Sequence, residues 1–240
     1  MRLDRYLANM AYGSRSEVKK LIRAGEITVN ETVIRDEAFQ VEPGEDLICC
    51  REEPVRFREH LYLVMNKPGG VITATEDRSA RTVLDLIAPK YRNKGIYPVG
   101  RLDKDTEGLL ILTNDGALGH RLLAPKRHVP KQYYARLDLP AEPGDIQAFR
   151  EGIRLEDGYR TQPAELECAA PDNPLEVLVT IHEGKFHQIK RMFAACGKEV
   201  VYLKRLAMGG LELDPALRPG DWRELTDAEL ELLSGVPGEA

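Results

Sequence analysis

The sequence predicts an α+β fold built on a mainly antiparallel sheet, and three observations lead there. Short helical and strand patterns alternate irregularly along the 240 residues, not in the repeating strand–helix order of a doubly wound fold. No Gly-x-Gly-x-x-Gly turn occurs, and no phosphate loop ending in Gly-Lys-Ser/Thr. The apolar runs are short and bounded by glycine, asparagine or proline, and none approaches the roughly 18 residues of a membrane helix.

Taken in order, Leu3, Tyr6 and Leu7 suggest a short helix. Ser14-Arg15-Ser16-Glu17 is a capping box, in which the serine accepts from an early backbone N–H and the glutamate reaches back. The helix it opens runs to about Ala24 and stops at Gly25. Val18, Leu21 and Ile22 fall on one arc of that helix, with Arg15, Lys19, Lys20 and Arg23 opposite. Glu26-Ile27-Thr28-Val29-Asn30 alternates as a strand, with a turn at Asn30-Glu31. Residues 51–59 are charged and broken by Pro54, which marks a linker and predicts two domains, 1–56 and 57–235. Beyond it, 61–65 reads as a buried strand, Asn66-Lys67-Pro68-Gly69-Gly70 as a turn, and 82–88 as a helix stopped by Pro89. Strands are expected at 109–112, 132–137, 175–181 and 200–206. Helices are expected at 117–123, 146–152 and 186–195, and an acidic one from Asp227 with a frayed tail.

Cys49, Cys50, Cys168 and Cys196 form no Cys-x-x-Cys pair, and a chain of this size needs no disulfides. They read as reduced thiols of a cytoplasmic protein, and the first residues lack the apolar core of a signal peptide. The net charge is −5, but its distribution is uneven. Residues 1–25 carry six Lys or Arg against two acids, 90–136 ten against four, and 185–205 six against one. The acids gather at 26–50 and after 211. An acidic protein with segregated cations can still present a basic face to nucleic acid.

The most unusual stretch is Gly100-Arg101-Leu102-Asp103-Lys104-Asp105-Thr106-Glu107-Gly108. It sets three carboxylates and two cations directly before a buried strand, where a loop can hold a site rigidly. Asp103, Asp105 and Glu107 are equally acidic, so chemistry alone does not choose among them. Metal chemistry is not expected: His182 and His187 are five apart, whereas a helical zinc motif needs four. His60, His120 and His128 have no ligand-like spacing. No nucleophilic serine elbow is visible.

Gly100-Arg101-Leu102-Asp103, continued by Thr106, Gly108, Leu109 and Leu110, resembles the signature of the RNA pseudouridine synthases. Lys131-x-Tyr133 resembles their second motif. Glu183-Gly184-Lys185-Phe186-His187-Gln188-Ile189-Lys190-Arg191-Met192-Phe193 resembles their third. Arg2-Leu3-Asp4, Ser14-Arg15-Ser16, Gly25-Glu26-Ile27-Thr28-Val29-Asn30 and Pro43-Gly44-Glu45-Asp46 resemble the S4 RNA-binding domain. Glu107, the third motif and Met208-Gly209-Gly210 look most like the RsuA branch, which modifies small-subunit rRNA.

The resemblance implies a role for each matching residue. Asp103 is the catalytic aspartate, Tyr133 stacks on the flipped base, and Lys190 pairs with the aspartate. Ile189 packs against the pocket, while Arg101 and Lys131 contact RNA. Arg15, Lys19 and Arg23 hold phosphates. The implied reaction turns uridine into pseudouridine without metal or cofactor. The implied partner is small-subunit rRNA in a partly assembled particle, met by a monomer away from membranes. A pseudouridine synthase acting on large-subunit rRNA or tRNA is the near alternative, and two readings of other classes compete. One is a non-catalytic RNA-binding assembly factor, which would not need Asp103, Tyr133 and Lys190 together. The other is a glycoside or nucleoside hydrolase, which needs a second carboxylate and a water.

Overall fold

The computed structural model describes residues 1–10, 12–55, 57, 60–92, 94–170 and 172–234. The chain divides into two compact units, Met1–Leu61 with Ile87–Ile96, and Tyr62–Leu86 with Tyr97–Ala240.

The smaller unit begins with helices α1 (Leu3–Asn9) and α2 (Arg15–Ala24). The capping box is formed: Glu17 N donates to Ser14 Oγ at 3.4 Å and Ser14 N to Glu17 Oε2 at 2.7 Å. Gly25 ends α2 in the left-handed region at φ 78°, which glycine adopts without a Cβ penalty. Val18 and Ile22 are fully buried, packed with Leu3, Tyr6, Leu7, Ile27 and Ile48. Strands β1 (Ile27–Val29), β2 (Thr32–Val33), β3 (Ile48–Cys50) and β4 (Glu53–Pro54) form an antiparallel sheet in the order β2-β1-β3-β4.

Strand β4 corrects the expected linker. Glu53 and Pro54 pair with β3, and Val55 is buried and accepts from the Tyr6 hydroxyl at 3.0 Å. Proline is tolerated there because β4 is an edge strand. Helix α3 (Pro89–Arg92) also clusters with this unit, and the Lys94 ammonium donates to the Ala8 carbonyl. Pro89 therefore opens a helix instead of stopping one, as suits its missing N–H. The expected helix at 82–88 is a single tight turn, Val83–Leu86.

The larger unit contains β5 (Tyr62–Lys67), β6 (Tyr97–Pro98), β7 (Glu107–Thr113), α4 (Gly116–Leu123), β8 (Lys131–Leu137) and α5 (Pro143–Glu151). It continues with β9 (Glu165–Ala170), β10 (Asn173–Ile181), α6 (Gln188–Ala195), β11 (Val200–Met208), β12 (Leu211–Glu212), β13 (Trp222–Glu224) and α7 (Asp227–Ser234). The sheet order is β13-β5-β7-β11-β8-β10-β9, with β6 on β7 and β12 on β11. Its pairs are antiparallel except β7 with β11, so the fold is the expected mixed, mainly antiparallel α+β architecture. Leu109, Leu110, Ile111 and Leu112 are fully buried, as an unbroken apolar run covered on both faces should be. Val64, Ile111, Leu118 and Leu122 share one core cluster. The rings of Phe149 on α5 and Phe193 on α6 meet at 4.8 Å.

Several boundaries moved. β5 runs through Asn66 and Lys67, where a turn was expected, and β9, β12 and β13 were not anticipated. α6 starts at Gln188, leaving Phe186 outside it. The expected frayed tail lies outside the described residues. Among those described, no helix is long and apolar enough to cross a membrane.

Candidate active site

The loop between β6 and β7 carries Asp103, and its backbone is pinned from below. The buried Thr73 hydroxyl donates to Leu102 O at 2.8 Å and accepts from Leu102 N at 3.2 Å. Lys67, fully buried at the end of β5, donates to the carbonyls of Pro68, Lys104 and Thr106 at 3.0, 3.3 and 2.8 Å. Burial pushes its ammonium down to about 8, against the pull of Asp105, Glu107 and Asp103. Gly108 sits where a Cβ would lie 2.2 Å from the Arg205 carbonyl oxygen, at φ 103°. Only glycine lets β7 and β11 approach this closely.

The three carboxylates of the loop have different fates. Glu107 accepts from the Tyr202 hydroxyl at 2.8 Å and from Gly69 N at 3.4 Å. Burial and this bond push the Tyr202 phenol up to about 12. Asp105 is well exposed and receives both hydrogen bonds of Lys190, at 2.7 and 2.8 Å. Lys190 holds the Asp105 carboxyl below the usual range. Asp103 has Lys190 at 3.4 Å and His187 Nε2 at 3.5 Å. It lines a cavity of about 80 Å³ together with Tyr133, Ile181, Ile189 and Leu203. Thr106 lines it too, and its buried hydroxyl has no hydrogen-bond partner among the described residues.

Strand alternation turns Tyr133 inward, at 7% exposure. Tyr134 takes the opposite face, edge-on to Tyr202 at 6.0 Å. The segment before α6 is held by Glu183, a buried acceptor for Tyr159 Oη at 2.6 Å, Gln162 N at 2.9 Å and Gln188 Nε2 at 2.9 Å. Arg191 anchors the helix on the neighbouring hairpin, with Glu156 at 2.7 Å and Asp157 at 2.5 Å.

The structure thus brings Arg101, Asp103, Tyr133, Ile189 and Lys190 to one cavity. Lys190 adds a detail the motif did not contain, since its shorter contacts are to Asp105. Lys131 is not at the cavity. It shares the inward side of β8 with Tyr133, is buried, and donates to Val129 O at 2.8 Å. Burial pushes it down to about 8, reinforced by Arg205. In the chain alone its ammonium is engaged by that backbone carbonyl and not turned to the cavity. Arg15, Lys19 and Arg23 lie in the smaller unit. Lys19 and Arg23 both meet Glu37, at 3.1 and 2.5 Å, and Arg15 is exposed. Sequence reasoning gave no role to Lys67, Thr73, His187 or Arg205. A usable signal existed for Lys67, a cation one residue beyond the apolar run 61–65 and Asn66. Among the described residues no group of three His, Cys, Asp or Glu is arranged to hold a metal ion. All four cysteines are free thiols.

Comparison with known proteins identifies the class. The family model described as RNA pseudouridylate synthase matches residues 61–195, and the S4 domain model matches 1–47. The chain belongs to the RNA pseudouridine synthases and carries an S4 RNA-binding domain. An uncharacterized RNA pseudouridine synthase of Bacillus subtilis, YtzG, is 50% identical over 98% of both chains. Ribosomal small subunit pseudouridine synthase A of Escherichia coli is 36% identical, covering 96% of this chain and 98% of its own. A crystal structure of a pseudouridylate synthase aligns with TM-score 0.69 at 36% identity, covering 97% and 99% of the two chains. Within the class, the chain is a member of the RsuA family.

Proposed function

We propose that this enzyme isomerises a uridine of bacterial small-subunit rRNA, using Asp103 and no cofactor. The observation that carries the chemistry is the placement of Asp103 at a cavity walled by Tyr133, Ile189 and Leu203. Isomerisation breaks the C1′–N1 bond and forms a C1′–C5 bond. The C5 proton leaves and N1 gains one, so atoms balance without an energy source. Oxocarbenium-like charge at the sugar carbon calls for an anion alongside it, and Asp103 supplies one. Lys190 and His187 lie 3.4 and 3.5 Å from that carboxylate. Tyr133 offers a ring face to the base, worth roughly 1–3 kcal/mol where a base stacks on it. The Thr106 hydroxyl, without a partner among the described residues, is available at the cavity wall to a polar edge of the base.

The choice of RNA rests on relatives. The Escherichia coli protein and one from Vibrio cholerae, 38% identical, are both named for the small subunit. The Bacillus subtilis relative is named without a target. A ribosomal substrate implies work in the cytoplasm. Flipping the uridine costs least where it is already unpaired, and an exposed loop of a partly assembled particle provides that.

The decisive experiment maps pseudouridine in RNA from cells with the gene, without it, and with Asp103→Asn. One small-subunit position should disappear in the last two. Asp103→Asn keeps the size of the side chain, so purified variant should bind RNA while losing about a hundred- to a thousandfold or more in rate, the scale of removing a charge-stabilising group. Turnover within tenfold of normal would displace Asp103 from the mechanism. A lost pseudouridine in large-subunit rRNA alone would overturn the choice of subunit.

A further inference from the structure

Asp103 borders a second cavity. It has a volume of about 480 Å³ and shares Arg101, Leu102, Asp103, Gly184, Lys185 and His187 with the smaller one. Its remaining walls are Ile72, Thr73, Lys104 and Phe186. Phe186 is the feature that needs a reason. Its side chain is 75% exposed, the most exposed large apolar residue among those described. Its ring is stacked on His187, at 3.8 Å between centroids and 17° between planes. His187 is itself fixed, in the left-handed region at φ 49° where α6 begins, with Nε2 3.5 Å from Asp103. An isolated exposed apolar side chain is ordinary. A stacked aromatic pair at the rim of a catalytic cavity, beside exposed Arg101 and Lys104, is a platform of the kind that single-stranded nucleic acid uses.

We infer that this second cavity receives the nucleobase adjacent to the target uridine, stacked on Phe186, with Arg101 and Lys104 on the intervening phosphate. The inference rests on the function proposed above and adds a subsite to it. The common wall at Asp103 fits two consecutive nucleotides, one on each side. An aromatic face is sequence-tolerant, so the platform holds the strand open and does not read a base identity. His187 acts as a positioning residue that carries the platform and touches the catalytic carboxylate at the same time.

The test uses the intact chain and the RNA in which the wild-type protein forms pseudouridine, whichever subunit supplies it. The RNA is assembled in three versions: native, abasic on the 5′ side of the target, and abasic on the 3′ side. Phe186→Ala should raise KM for native RNA about five- to a hundredfold, the range expected for one stacked base, with kcat reduced much less. Phe186→Tyr should restore KM, while Phe186→Leu, apolar but ringless, should not. One abasic RNA should raise the wild-type KM by a similar factor, and Phe186→Ala should then add little, because the contact is already gone. Thermal stability should be unchanged, since the side chain is exposed. Equal KM for wild type and Phe186→Ala, or losses that multiply fully with both abasic RNAs, overturns the subsite while leaving Asp103 in place. Failure of wild type to modify any RNA overturns the underlying function and the subsite with it.

Discussion

On α2 of the smaller unit, Lys19 and Arg23 stand at the surface and share one carboxylate, Glu37, at 3.1 and 2.5 Å. In the larger unit, Lys67, Lys131 and Arg205 are each less than a tenth exposed and donate to backbone carbonyls. Arg205 Nε reaches Leu109 O at 2.7 Å, on the strand that follows the loop carrying Asp103. The first set is screened and exchangeable, the second is built into the fold. The difference shows why counting Lys and Arg along a stretch overstates the charge offered to RNA. Of the six cations at 185–205, Arg205 is buried, Lys198 is buried against Asp145 at 2.8 Å, and Arg191 is committed to Glu156 and Asp157.

The sharpest way to break this contrast is Lys67→Met. The variant leaves three carbonyls under the loop without their shared donor, and an unmet buried group costs about 1–3 kcal/mol. Loss of stability by denaturant titration at pH 7 should come with at least a tenfold fall in kcat, because the Asp103 loop relaxes. The pH dependence has a defined sign. Between about 8 and the ordinary lysine value of 10.5, the unfolded chain holds a proton on Lys67 that the folded chain has released. Stability of wild type relative to Lys67→Met therefore rises with pH across that window. A variant as stable and active as wild type at pH 7 would make Lys67 a passive cation.

Lys131→Met should do much less. One hydrogen bond to Val129 O is lost, but a buried cation beside Arg205 is relieved, and such exchanges are often near neutral. The expected stability change is within about 1.5 kcal/mol, with the salt dependence of RNA binding unchanged. A slope of log affinity against log salt that falls by about 0.7–0.9 would mean that Lys131 reaches a phosphate after all.

These two lysines also mark the limit of what the sequence made legible. Capping at Ser14, the stop at Gly25 and the buried run from 109 to 112 were readable because local chemistry decides them. Asp103, Tyr133 and Lys190 came from a motif pattern, and Tyr133 over Tyr134 could not be settled by alternation until the register on β10 and β11 was known. Lys67 was misread as a turn residue, and the burial of Lys131 was not foreseen, because burial of a cation is decided by the folded surroundings, here the carbonyls of residues 104 and 106 for Lys67. Strands β9 and β13 escaped for a related reason. Edge strands such as these carry little apolar periodicity, as the exposed side chains of Glu165, Glu167 and Cys168 on β9 illustrate. The linker was displaced because Glu53 and Pro54 read as a break, while pairing with β3 overrides that local preference.

The smallest effect is expected at Glu37, and it separates screening from architecture in the smaller unit. Lys19 and Arg23 hold the Glu37 carboxyl below the usual range, chiefly through the Lys19 hydrogen bond. The pair is therefore intact at neutral pH and is lost as pH falls through that depressed value. A phosphate approaching α2 must compete with this carboxylate for both cations. Glu37→Gln removes the competitor without removing much side-chain volume. RNA should bind more tightly at low salt, and the slope of log affinity against log salt should steepen by up to about 0.9 for each cation newly free to reach a phosphate. Catalytic rate at saturating RNA should not change, since Glu37 belongs to the unit without Asp103. Melting temperature should fall slightly at most, because exposed ion pairs contribute little. The same substitution in an Arg15→Ala, Lys19→Ala, Arg23→Ala background should do nothing to binding, which ties the effect to those cations. Weaker binding by Glu37→Gln would show instead that the carboxylate orders Lys19 and Arg23 for RNA, and the cations of α2 would then be as much a part of the architecture as the buried ones of the larger unit.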